Sequence, residues 1–316
     1  MNKTGCLYCY ERLDDSERDF HKKCSRKLFD TENAPLLDLS LSEIDNYAVN
    51  LLQRSVSVTG VQPKLLVDIK KSRNKPSRLT LVGLWGKYIL KPPHNDYPEM
   101  PEIEDLTMRM AELAGIRTAD HSLIRMKSGE LAYISKRFDR TPDGKLHVED
   151  FAQLSGVLTE RKYSGSVERI GKGILKFSSF PGNDIINLFE IVLFSYLTGN
   201  SDMHLKNYSL LRDEYDDIKL SPAYDLLSTK LLLPEDKEEY AITINGKKSN
   251  ITGKDFDKLA ANFNITKKTL TSIYKKFSNV HSQWEEIIKR SFLSRTTREK
   301  YLDLIKVNFF GRDILI

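Results

Sequence analysis

Three side chains in this 316-residue chain carry the densest chemistry: Asp202 and Asn207, five positions apart in Asn200-Ser201-Asp202-Met203-His204-Leu205-Lys206-Asn207, and Asp225 in Ala223-Tyr224-Asp225. Moving a γ-phosphoryl group needs a base beside the acceptor hydroxyl and hard oxygen ligands that hold Mg2+ across the phosphates. Asp202 fits the base; Asn207 and Asp225 fit the metal ligands. Either aspartate alone reads as a loop or turn residue, so the weight lies on the order and spacing of the three behind one apolar segment. His204, inside the same loop, is placed with the nucleotide-site residues and could brace the loop by a hydrogen bond.

A cation for the phosphates is available in Lys91, at the end of an apolar run and just before Pro92-Pro93. Glu102 and Glu104 open the helical pattern that follows. Either could pair with Lys91, and Glu104 is preferred, because a first-turn Glu102 is also explained as a complement to the helix dipole. The stretch Ser55-Val56-Ser57-Val58-Thr59-Gly60-Val61-Gln62-Pro63-Lys64 could bring the backbone of Ser57, Val58, Thr59 and Gly60 close to phosphates, although it lacks the repeated glycines of a P-loop. A phosphate on Ser57 or Thr59 would place roughly two negative charges where nucleotide phosphates belong. Cys6-x-x-Cys9 and His21-x-x-Cys24 form two pairs of metal-competent side chains. They are either reduced and buried, or the ligands of a Zn2+ that staples a segment short of core.

The elements that must position these residues follow from pattern. A hydrophobic fraction of 40% suits a folded protein, and a net charge of +5 is too diffuse for direct nucleic-acid binding, which is not expected. No apolar run reaches the ~18 residues of a membrane span and the amino terminus has no signal-peptide core, so a cytoplasmic protein without membrane contact is expected. Residues 1–38 read as a polar Cys/His-bearing stub, and 39–140 as a nucleotide-covering lobe with strands at 65–69, 88–91, 122–126 and 131–138 and a helix over 101–115 that stops at Gly115. After Thr141-Pro142-Asp143-Gly144, residues 141–316 read as helical. Residues 185–197, apolar on nearly every side, predict a buried axial helix; 208–211 and 218–220 predict a hairpin between Asn207 and Asp225. Amphipathic helices are expected near 256–262, 270–277 and 284–290, and a last one opened by a Thr296/Glu299 capping box.

The chain resembles the HipA-like serine/threonine kinases, toxins of bacterial toxin–antitoxin modules. The resemblance rests on Ser57 to Lys64, Tyr88-Ile89-Leu90-Lys91-Pro92, Glu104 with Ala114-Gly115-Ile116, Arg137-Phe138-Asp139-Arg140, Glu149-Asp150-Phe151-Ala152-Gln153, the Asp202 loop and Ser221-Pro222-Ala223-Tyr224-Asp225. The D-x-x-x-x-N interval also matches the catalytic loop of protein kinases, with Asn200-Ser201 in place of His-Arg. The resemblance implies an α+β, protein-kinase-like bilobal fold with a mixed α/β lobe and an all-helical lobe. It implies that Lys91 binds ATP phosphates, that Asp202 is the catalytic aspartate and that Asn207 and Asp225 hold Mg2+. Phe138 and its neighbours would contact adenine, and Ser57 and Thr59 would be self-phosphorylation positions. Lys136 stands where many relatives have Glu, which leaves a backbone hinge contact at that position. The implied target is an aminoacyl-tRNA synthetase. With only the short stub ahead of the kinase region, the chain is nearer the short HipT-type members, which implies a small HipS-like protein and a DNA-binding HipB-like antitoxin as partners. The competing readings are a lipid or small-molecule kinase on the same fold and a nucleotide-responsive binding scaffold.

Overall fold

The computed structural model describes residues 5–44, 64–71, 76–83 and 85–310, and its chain divides into two compact units. Ser57, Val58, Thr59 and Gly60 lie outside the described residues. The first unit comprises Met1–Asp105, Ala119–Phe138 and Arg290–Leu293. Its sheet has six strands in the spatial order Leu36–Leu37, Arg78–Leu81, Leu65–Lys70, Tyr88–Lys91, Leu131–Lys136, His121–Arg125. All neighbours are antiparallel except the first pair. The four strands expected from β-type apolar runs are all present; Leu36–Leu37 and Arg78–Leu81 are too short to have shown a period.

Alternate side chains of a strand face opposite sides, and Val67, Leu79, Leu90, Leu123 and Ile134 turn into one core. The amino-terminal segment packs into that core, in the same compact unit as the sheet, and owns no separate one among the described residues. Leu7, Phe20, Leu28 and Phe29 pack in the same cluster, the Tyr88 hydroxyl donates to the Leu28 carbonyl at 3.2 Å, and the Ser122 hydroxyl donates to the Leu7 carbonyl at 2.9 Å. Its apolar residues follow loops and one short helix, Lys22–Phe29, so no single period revealed them.

The second unit comprises Leu106–Thr118, Asp139–Lys289 and Ser294–Ile316. The helix Met100–Leu113 therefore begins in one unit and ends in the other, and Gly115, at φ 74°, stops it as expected. The axial helix is Pro181–Leu197, opened by a proline whose missing N–H needs no partner there. Phe194 meets Trp284 edge-on at 5.4 Å and Phe189 meets Phe256 at 6.2 Å. This unit is not all-helical: Ile218–Leu220, Ser209–Arg212 and His147–Asp150 form a three-stranded antiparallel sheet, and Arg140–Thr141 pairs with Gly144–Lys145. The expected hairpin is its first two strands; the third, His-Val-Glu-Asp, is polar and gave no strand signal. The helices expected at 270–277 and 284–290 are one, Lys267–Arg290, because Phe277, Val280 and Trp284 continue the buried stripe across the polar interval. Ser294 rather than Thr296 caps Arg295–Phe310, its hydroxyl accepting from the Thr297 N–H at 3.3 Å. Among the described residues, no helix is long and apolar enough to cross a membrane.

Candidate active site

The Asp202 loop starts at a tightly closed helix end. After Pro181–Leu197, Gly199 adopts φ 70°, the Asn200 N–H donates to the Ser195 carbonyl at 2.8 Å and the Gly199 N–H to the Tyr196 carbonyl at 3.1 Å, a Schellman closure. That φ calls for glycine, and a Cβ there would also lie 2.7 Å from Leu304 Cδ2, so that the leucine side chain would have to shift. Ser201 is pinned next: its N–H donates to Thr229 Oγ1 at 2.8 Å and its hydroxyl to Asp236 at 2.8 Å. Asn200 Oδ1 then accepts from the Asp202 N–H at 3.2 Å. Asn200-Ser201 thus hold the loop by one local hydrogen bond and by bonds to Thr229 and Asp236, in the place where kinases carry His-Arg.

Asp202 is half-buried, and its Oδ1 accepts from the Tyr163 hydroxyl at 2.9 Å. The loop closes on itself, with Asn207 Nδ2 donating to the Asp202 carbonyl at 3.1 Å and the Asn207 N–H to the His204 carbonyl at 2.9 Å. Since only the amide nitrogen can donate, Asn207 is oriented with its Oδ1 on the opposite side, the atom a hard cation would take. Lys206 reaches Asp150 at 2.8 Å, and Asp150 in turn caps Phe151–Leu154 with Gln153 completing the capping box.

Asp225 comes to the same loop through its neighbour. The Tyr224 hydroxyl donates to the Lys206 carbonyl at 2.9 Å and lies 2.5 Å from Ser209 Oγ, while the Ala223 N–H donates to the Arg117 carbonyl at 2.8 Å. Asp225 itself has φ 54°, a left-handed conformation uncommon for a side-chain-bearing residue and enriched at functional sites.

Burial, chiefly, holds the His204 imidazole below its ordinary value, with the Lys162 charge acting the same way and the Asp202 and Asp225 charges opposing. His204 is therefore a neutral ring at neutral pH, packed edge-on to Tyr163 at 5.2 Å. Burial and then the Asp202 charge raise the Tyr163 phenol, which keeps it a proton donor to Asp202.

In the first unit, Lys91 pairs in register with Tyr133, and its Nζ lies 5.3 Å from that ring's centroid. The ammonium donates to Glu104 Oε1 at 2.5 Å, with side chains only 7% and 1% exposed. Of the two glutamates the sequence offered, Glu104 is the partner, and Glu102 is half-buried on the first turn. Lys136 is turned to Asp30 at 2.8 Å, and Phe138 is half-buried at the end of this unit. The sulfur and nitrogen ligand atoms of Cys6, Cys9, His21 and Cys24 all lie within 4.8 Å of one another.

Sequence reasoning missed Tyr163, Lys206 and Asp150 as supports of the loop, and Tyr224 as its tie to Asp225. Tyr163 sits in an irregular polar stretch with no motif. Lys206 and Asp150 lay inside quoted motifs, and their pairing across 56 residues is visible only once the fold brings them together. The donor set suits its expected ligands: carboxylate and amide oxygens for Mg2+ on Asn207 and Asp225, and a buried ammonium for phosphate oxygens on Lys91.

The likenesses to solved structures show the fold. The HipA chain in the Shewanella oneidensis toxin–antitoxin complex of HipA, HipB and operator DNA matches at TM-score 0.65 and 20% identity, over 84% of this chain and 69% of that one. The Helicobacter pylori proinflammatory kinase CtkA matches at TM-score 0.55 and 15% identity, over 79% of this chain and 94% of its own. The fold is thus α+β and protein-kinase-like. The family description "HipA-like C-terminal domain" matches residues 56–284, more than half of the chain, and the chain belongs to that family. "Putative kinase Y4dM" of Sinorhizobium fredii is 38% identical over 187 residues, 55% of this chain and 45% of Y4dM, so the match spans less than half of that relative's length.

Proposed function

We propose that this chain is an ATP- and Mg-dependent serine/threonine protein kinase acting as the toxin of a toxin–antitoxin module. The observation that carries the reading is the bonding of the Asp225 segment to the Asp202–Asn207 loop through Tyr224 and Lys206. One loop then offers a base, and two oxygen ligands stand on segments tied together.

Asp202 takes the proton from the acceptor hydroxyl through the carboxylate that Tyr163 orients. Lys91, held by Glu104, neutralises phosphate charge. Asn207 and Asp225 would hold Mg2+, which would supply neutralisation of the phosphate charge. The adenine contacts the Phe138 region. The protein target is an aminoacyl-tRNA synthetase, and Ser57 and Thr59 are self-modification positions whose phosphates would oppose nucleotide binding. The antitoxin is a HipB-like DNA-binding protein, as the Shewanella complex supports, and a small HipS-like protein is the further partner. The compartment is the cytoplasm.

Labelled-phosphate transfer from ATP to a protein target and to the chain itself tests the reading. Asp202→Asn and Asp225→Asn are expected to abolish both while the circular-dichroism spectrum is unchanged; transfer persisting in both variants refutes it.

A further inference from the structure

The amino-terminal Cys/His cluster has no part in the proposed phosphoryl transfer, yet its geometry is that of a ligand set. Cys9 Sγ is 3.3 Å and Cys24 Sγ 3.8 Å from His21 Nδ1, and the His21 N–H points at Cys6 Sγ over 3.5 Å. Ligand atoms around a tetrahedral Zn2+ with bonds of ~2.3 Å to sulfur stand roughly 3.8 Å apart. His21 Nε2 lies 2.9 Å from the Arg12 carbonyl, which fixes the proton on Nε2 and leaves Nδ1 as the lone-pair atom facing the sulfurs. Thiols that were only small core side chains would have no reason to converge on one point with an oriented imidazole.

The turn between the ligand pairs reaches the helix that carries Glu104. Tyr10, directly after Cys9, has φ 63°, and the turn is closed by Tyr10 N–H to the Cys6 carbonyl at 2.9 Å and Cys6 N–H to the Glu11 carbonyl at 2.8 Å. A tyrosine in the left-handed region persists where its surroundings over-determine it. Here its ring packs edge-on to Phe292 at 5.2 Å, and its hydroxyl donates to Asp105 Oδ2 at 2.6 Å. Asp105 Oδ1 meets His121 Nδ1, also at 2.6 Å, with both side chains fully buried. Asp105 is the residue after Glu104.

We propose that Cys6, Cys9, His21 and Cys24 hold a structural Zn2+, and that this centre, through Tyr10 and Asp105, positions Glu104 against Lys91. The second half rests on the nucleotide role given to Lys91 and Glu104 above; the first half does not.

The full chain, purified under reducing conditions without chelator, is expected to carry about one zinc per molecule. Chain produced with Co2+ is expected to show thiolate-to-cobalt charge-transfer bands and tetrahedral d–d absorption. Wild-type chain without stoichiometric zinc, or zinc equal in wild type and Cys6→Ser/Cys9→Ser, overturns the metal centre, and the wild-type measurements decide even if that variant does not fold. Tyr10→Phe is expected to retain zinc and to weaken nucleotide binding about fivefold, the loss of one buried hydrogen bond. Unchanged affinity in Tyr10→Phe beside weakened affinity in Glu104→Gln overturns the coupling. Unchanged affinity in both removes the nucleotide role of the pair and the coupling with it, while the zinc count still stands or falls alone.

Discussion

Tyr224 donates its hydroxyl proton to the Lys206 carbonyl at 2.9 Å, so the residue before Asp225 is bonded to the residue before Asn207. A phenol has one proton, so the 2.5 Å contact with Ser209 must be donated by the serine. Tyr224→Phe leaves that carbonyl and that hydroxyl without this partner, at a cost of about 1–3 kcal/mol. Urea unfolding should read the loss of stability. A Mg2+ titration of phosphate transfer should read a higher half-saturating concentration, because the two ligand segments are no longer locked together; an unchanged titration in a destabilised variant refutes the locking role.

Tyr163 acts on Asp202 from outside the loop. Its hydroxyl, 2.9 Å from Oδ1, occupies that carboxylate oxygen and would leave Oδ2 for an acceptor hydroxyl. Tyr163→Phe is expected to lower kcat about tenfold, less than the roughly 100-fold or more of a whole general base because Asp202 itself remains, and to leave KM for the nucleotide unchanged. A change confined to KM would mean that Tyr163 lines the nucleotide site instead of orienting the base.

The contrast between Tyr163 and Asp202 shows what a sequence displays. Asp202, Asn207 and Asp225 were legible because phosphoryl transfer needs those types in that order, and residues 185–197 because a segment apolar all round must be buried. The strands at 65–69 and 88–91 were legible by their β-type apolar residues, and Glu104 by its position after Lys91. Tyr163, Tyr10 and the Lys206–Asp150 pair carry no local signature: each acts through a partner 39 to 95 residues away. The strand His147–Asp150 is invisible for a related reason, since its pairing with Ser209–Arg212, not its own polar residues, makes it a strand. The amino-terminal segment hid its core contribution because Leu7 and Phe20 sit on a turn and a bend, outside any helix or strand period.

The Lys91–Glu104 pair is nearly inaccessible to water. Removing one partner leaves the other charge buried, and Glu104→Gln or Lys91→Met is expected to cost about 3–5 kcal/mol of stability. Replacing both, Lys91→Met with Glu104→Leu, removes the stranded charge and should recover most of that stability in urea unfolding. Nucleotide affinity, measured by calorimetry, should not recover with it. Recovery of both would show the pair to be a packing feature and no part of phosphate binding.

Acid should unfold the second unit partly through Asp255, which closes a capping box with Thr252 and accepts from Asn245 and Lys247, each at 2.9 Å. Although burial opposes it, these hydrogen bonds hold the carboxyl down to about 2 from an ordinary 3.8. A folded-state value below the unfolded one means that the unfolded chain binds the proton first. The contribution is therefore complete above 3.8 and is lost as pH falls toward about 2. Its size follows from the shift, about 2 kcal/mol. Urea unfolding between about pH 5 and about pH 2 should show the gap between wild type and Asp255→Asn closing by that amount. A gap constant across this window would mean that Asp255 titrates alike in the folded and unfolded chain, and that the cap is held by geometry without its charge.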